Sequence, residues 1–172
     1  MTSERSWVRP ELLGIYLNDH LAGATAGVEL AHRMARSYTG PAAGSTMERL
    51  AADIAQDRSA LREIMAGLRV PSRAYKVCAG WLGEKAGRLK LNGRLRSRSP
   101  LSDLEELEML RLGVEGKAAG WRTLRVLAES DPRLDKARLD GLMSRARDQA
   151  DLLEDLRVRA ATEAIRSRPA CH

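Results

Sequence analysis

His20, Asp53, Asp57, Glu115 and Gln149 are polar residues of this 172-residue chain that fall on or beside helical stripes otherwise built from apolar ones. On a helix turning about 100° per residue, Leu13, Tyr16, Leu17, Ala24, Gly27, Ala31 and Met34 lie within roughly 60° of His20. Asp57 sits at the centre of a second stripe made by Leu50, Ile54, Leu61, Ile64, Met65 and Leu68, with Asp53 about 40° away. Glu108 and Glu115 share a row on the flank of a third stripe, and Gln149 and Arg157 intrude on a fourth. An unpaired buried carboxylate is costly, so two chemistries compete for these residues. In the first, the groups form a metal-free network. His20 pairs with Asp57, and Glu115, Gln149 or Arg157 completes the hydrogen bonding, because buried charges persist when paired and such a network can fix helix register. In the second, His20, Asp53, Asp57 and Glu115 form a reduced metal site. Hard oxygen ligands with one imidazole suit iron, manganese or zinc. Both readings require that the helix faces be the ones the periodicity gives.

The elements that must position these residues are long helices. The first is predicted from about Ser6 to Tyr38, with Pro10 in its first turn, where a missing N–H costs little. Gly and Pro in the TGPAAGS stretch end it. A second helix runs over 46–68, capped by Ser45 or Thr46. Residues 71–100 form a connector, helical in part and weakened by Gly80, Gly83 and Gly87. A third helix spans 101–128, with Ser102 and Glu105 as a capping box, and its inner side is marked by Leu104, Leu107, Val114, Ala118 and Trp121. After the ESDP break a fourth helix covers 134–166, leaving 167–172 as a frayed tail. Four long helices with short first and last loops and one long middle connection describe a ferritin-like four-helix bundle. The expectation is one all-α domain over 1–172, with the polar residues of all four helices at one height.

The opening YLNDHLAG and the GRLKLNGRL before the third core helix make the chain similar to ferritin-like proteins of high-GC bacteria, over nearly its whole length. The wider superfamily holds two metal ions at the bundle centre, with one Glu from each of two helices and Glu-x-x-His from each of the other two. The resemblance therefore implies a di-metal site, but the residues depart from that pattern. The one E-x-x-H, Glu29 to His32, points away from the core stripe. The second is missing from the fourth helix, where DQAD (148–151) has no histidine, and the remaining histidine is His172. The metal-free network is accordingly the leading expectation, with association through helix faces as its mode of action and a homodimer as its simplest form.

The bulk composition narrows the rest. The chain has no Phe and 3% aromatics, which suits a helical bundle and argues against a sandwich or barrel. Lys and Arg number 29 against 23 Asp and Glu, for a net charge of +6. Both signs are interleaved, as on an ordinary charged surface. Lys85, Arg88, Lys90, Arg94, Arg96 and Arg98 concentrate positive charge in the connector and are the best candidates for meeting phosphates or an anionic membrane surface. With only Tyr75 and Trp81 nearby there is no base-stacking platform for nucleic acid, and a solvated connector that neutralises neighbouring acids explains the same charges. Cys78 and Cys171 form no disulfide framework. No apolar run reaches the length of a membrane span, and no signal peptide is evident, so a cytoplasmic protein is expected. P-loop, G-x-G-x-x-G, C-x-x-C and H-E-x-x-H motifs are all lacking, and no catalytic residue is assigned.

Overall fold

Pro10 begins the first helix, as its fixed φ favours. The computed structural model describes residues 9–38, 41–72 and 100–166. These make four helices: α1 (Pro10–Ser37), α2 (Pro41–Gly67), α3 (Pro100–Leu127) and α4 (Lys136–Ile165). α1 begins after the extended N-cap Arg9 and not near Ser6, while the part of the connector with Cys78 and its six cations and the tail 167–172 lie outside the described residues.

The other helix starts also differ from the sequence reading. α2 starts at Pro41 rather than at 46, because a proline that ends one helix is also acceptable in the first turn of the next. α3 starts at Pro100, within one residue of the expected 101, which puts Ser102 inside the first turn instead of at the N-cap of a capping box. α4 is capped by Asp135, whose side chain accepts from the Arg138 backbone N–H at 3.1 Å. α2 ends in a tight turn with Arg69 at φ 60°. The Val70 N–H reaches back to the Met65 carbonyl at 2.8 Å, the six-to-one bond that closes a helix C-terminus.

Side-chain pairs fix the helix directions. Along α1, Tyr16 donates to Thr123, His20 meets Gly120 and Arg33 reaches Glu106, so α1 and α3 are antiparallel. Arg125 with Asp140 and Arg111 with Glu154 make α3 and α4 antiparallel. Glu63 with Arg138 and Asp57 with Gln149 do the same for α2 and α4. α1 ends at Ser37 and α2 starts at Pro41, so only residues 38–40 join them and the two run antiparallel. The order is thus up, down, down, up. The end of α2 and the start of α3 lie at opposite ends of a bundle whose 28-residue helices are about 42 Å long.

The core is divided in two. One half packs Leu17, Leu21, Leu61, Met65, Trp121, Leu124, Leu139 and Leu142. The other packs Val28, Met34, Met47, Leu50, Leu107, Leu110, Val114 and Leu153. On α2, α3 and α4 the boundary falls at Asp57, between Val114 and Ala118, and at Gln149. Apolar burial on both sides holds the four helices together. A polar layer sits between the halves, at mid-height.

Candidate functional site: a buried ionic layer

Asp57 is the most buried ionisable residue among those described, at 1% exposure. Its place on the α2 stripe leaves it no route to water. It is met by a lysine. Lys117 of α3 places its Nζ 2.5 Å from Asp57 Oδ2. Gln149 of α4, itself 3% exposed, donates from Nε2 to the same oxygen at 3.0 Å and accepts from Lys117 through Oε1. Three side chains from three helices thus close a ring of donors and acceptors. Arg145, one turn before Gln149, brings Nη2 within 2.5 Å of Asp57 Oδ1. Its N–H does not point along a hydrogen-bond line, so this contact is an ion pair. Asp53 lies one turn earlier on α2 and is partly buried.

Burial pushes the Lys117 amine below the usual lysine range, opposed chiefly by the charge and hydrogen bond of Asp57 and more weakly by Asp53. The desolvation of an ammonium in a helical core is large. The Asp57 carboxylate and the amide of Gln149 supply what water would have supplied.

Of the three residues offered to complete a network around Asp57, the structure joins Gln149 to it and not Glu115 or Arg157. Glu115 is exposed and lies near Arg111, 3.8 Å away on its own helix. Arg157 pairs with Glu154 at 2.7 Å and approaches Glu108 at 3.8 Å. Both therefore belong to a half-exposed charge row between α3 and α4, where ion pairs are individually weak. The cause is register. Glu115 lies on the flank of its stripe, whereas Lys117 is seven residues from both Leu110 and Leu124, which are each buried. Two helical turns separate positions seven apart, so this lysine points into the core. Its neighbours in that row were the available signal, and a lysine between two buried leucines reads most simply as a surface residue.

His20 also lies apart from Asp57, whose partners among the described residues are Lys117, Gln149 and Arg145. At the level of the layer α1 offers Ala24 and Thr25, between the two half-cores, and the Thr25 hydroxyl donates to its own helix at the Leu21 carbonyl. His20 is one turn away, at the α1–α3 seam. Its ring packs edge-on to Tyr16, centroids 4.5 Å apart, and rests against Gly120, where a Cβ would stand 3.0 Å from His20 Cε1 and 3.1 Å from Nδ1. Glu29 and His32 are exposed, as their positions on the wheel predict. A second charge contact ties the same seam at its other end, where the exposed Arg33 donates to the buried Glu106 at 3.2 Å.

Two expected results follow from His20. An alanine in place of glycine inside a helix normally gains about 1 kcal/mol. Gly120→Ala should lose most of that gain to crowding against the imidazole, and recover it in a His20→Ala background. Denaturation of the four proteins in that cycle measures the coupling, and equal effects in both backgrounds would contradict the contact. Burial also holds the His20 pKa below its ordinary value, with Asp19 opposing. The unfolded chain then takes up the proton first, so this contribution to stability is complete above the ordinary histidine pKa and is lost as pH falls through the lowered one. Between pH 7.5 and pH 5 the wild type should lose more stability than His20→Asn, and parallel curves would count against it.

Among the described residues no three His, Cys, Asp or Glu side chains are grouped so that they could share a metal ion. What the layer can do chemically is hold charge in balance. One carboxylate is met by an ammonium and a guanidinium, with Asp53 near enough to act on the ammonium. No helix among the described residues is long and apolar enough to cross a membrane. Comparison with known proteins finds no matching family model, no matching curated protein and no matching solved structure.

Proposed function

We propose that this chain is a cytoplasmic ferritin-like bundle that works without metal or catalysis at its centre and acts by association, with a second copy of itself as the simplest partner. The observation that supports this most is the ammonium of Lys117 against Asp57. It stands at mid-bundle, where the di-metal members of that superfamily hold their ions. A divalent cation added there would face two positive side chains beside the buried carboxylate of Asp57 and the partly buried Asp53 one turn away, and like charges at short range in a poorly solvated interior repel strongly. The layer instead sets register. Sliding one helix by a turn would strand Asp57 among leucines, at a cost of several kcal/mol. Association draws support from exposed apolar residues at one end of the α1–α3 seam. Leu12 and Ile15 are 55% and 53% exposed, and Val126 is 71% exposed. The Tyr16–Thr123 hydrogen bond places them at the same end.

Elemental analysis of the untagged protein after aerobic loading with iron and with manganese tests the first part. Metal at background level is expected. About two equivalents per chain, lost in Asp57→Ala, would overturn it in favour of a dinuclear site. Light scattering tests the second part. Twice the chain mass, reduced by Val126→Glu, is expected, and a monomer at micromolar concentration would overturn it.

A further inference from the structure

Between α2 and α4 the bundle leaves an open groove of about 780 Å³. Its floor is small and apolar: Ala52, Ala55, Ala60, Gly141 and Leu142. Its charged walls carry Arg58, Arg138 and Arg145 against the single carboxylate of Glu63. Arg138 is committed to Glu63, and Arg145 to Asp57 and, weakly, to Gln56 at 3.5 Å. Arg58 has no ion-pair partner among the described residues, and the Nε–H groups of both Arg58 and Arg145 are out of water with no acceptor. A buried donor left without a partner is costly, and arginines at a concave surface are normally satisfied. A ligand offering two oxygens on one centre would relieve that cost, because a guanidinium that turns towards it donates Nε–H and Nη–H in parallel.

From these observations we infer that the α2–α4 groove is a binding site for a small organic oxyanion, a carboxylate or a phosphate on a short apolar stem. Arg58 is its principal ligand, and Arg138 and Arg145 supply positive potential from across the groove. The alanine and glycine floor takes the stem, since small residues leave room for a ligand to lie close to both backbones. The site is separate from the ionic layer in its ligands, but Arg145 borders both, so an occupied groove would be felt at Asp57 through one side chain. An account in which the bundle acts only by association does not require such a site.

Titration calorimetry of the full chain at low ionic strength, with inorganic phosphate and with hexanoate as separate probes, tests the inference. Saturable binding of at least one probe near one equivalent per chain is expected, weakened at least tenfold by Arg58→Gln and also weakened by Arg138→Gln. Tighter binding of hexanoate would identify a carboxylate with a stem, and tighter binding of phosphate a phosphate group. Circular dichroism and thermal melting of both variants establish that they fold. No saturable binding of either probe, or binding unchanged in Arg58→Gln, would overturn the site. The second outcome would move the anion to other cations, those of 85–98 included.

Discussion

Replacing Asp57 with alanine should destabilise the bundle by about 3–5 kcal/mol, the range found when one partner of a buried ion pair is removed. The loss has three parts. The Lys117 ammonium, already disfavoured by burial, loses the charge and hydrogen bond that hold it in the core. Gln149 loses the acceptor of its Nε2. The space vacated by a carboxylate at mid-core leaves a small cavity between two packed halves. Arg145 suffers least, since its side chain is about one-third exposed and can turn to water. Asp57→Asn should recover only part of the loss. It is close to isosteric, but its amide would set N–H groups against Lys117 or Arg145. Urea denaturation of the purified variants measures both effects. A cost below about 1 kcal/mol for Asp57→Ala, typical of a surface ion pair, would contradict the layer.

The second large effect is expected at Lys117. Lys117→Ala should cost about 2–4 kcal/mol, because the Gln149 carbonyl loses its donor and Asp57 Oδ2 keeps one donor where it had two. Keeping the charge should not restore stability. Lys117→Arg would bring a planar, longer group to a point where a compact ammonium meets a carboxylate and an amide oxygen, and overpacking a core costs about 1–3 kcal/mol. A Lys117→Arg variant as stable as wild type in the same urea titration would show that charge alone matters and that the ring of three side chains does not.

These effects explain how far the sequence could be read. The helical class, the break at ESDP and the long middle connection follow from local signals, namely periodicity and Gly or Pro punctuation. Asp57 and Gln149 were legible because each interrupts a stripe of residues that proved buried. Their partners were harder. Lys117 and Glu115 are two residues apart, about 200° around the helix, so they flank the α3 stripe on opposite sides; both are ordinary surface types, and the pattern of one helix does not say which flank meets Asp57. His20 was drawn towards Asp57 because both sit near the middle of their helices. The level at which two helices meet, however, is fixed by contacts such as His20 on Gly120 and Tyr16 on Thr123, which no single helix encodes. The start of α2 moved for a simpler reason, since proline signals both an end and a beginning.

The mutual dependence of Asp57 and Lys117 is what distinguishes a metal-free ionic layer from a metal site. A double-mutant cycle with Asp57→Leu and Lys117→Met, followed by urea denaturation with the metal content of each protein recorded, measures that dependence. Replacing a buried pair by apolar groups of similar size is often neutral or stabilising, whereas each single change strands a charge. The account predicts that the double variant is more stable than Asp57→Leu alone, with a coupling of about 2 kcal/mol. Additive losses, or a wild type whose stability follows its metal content, would contradict it.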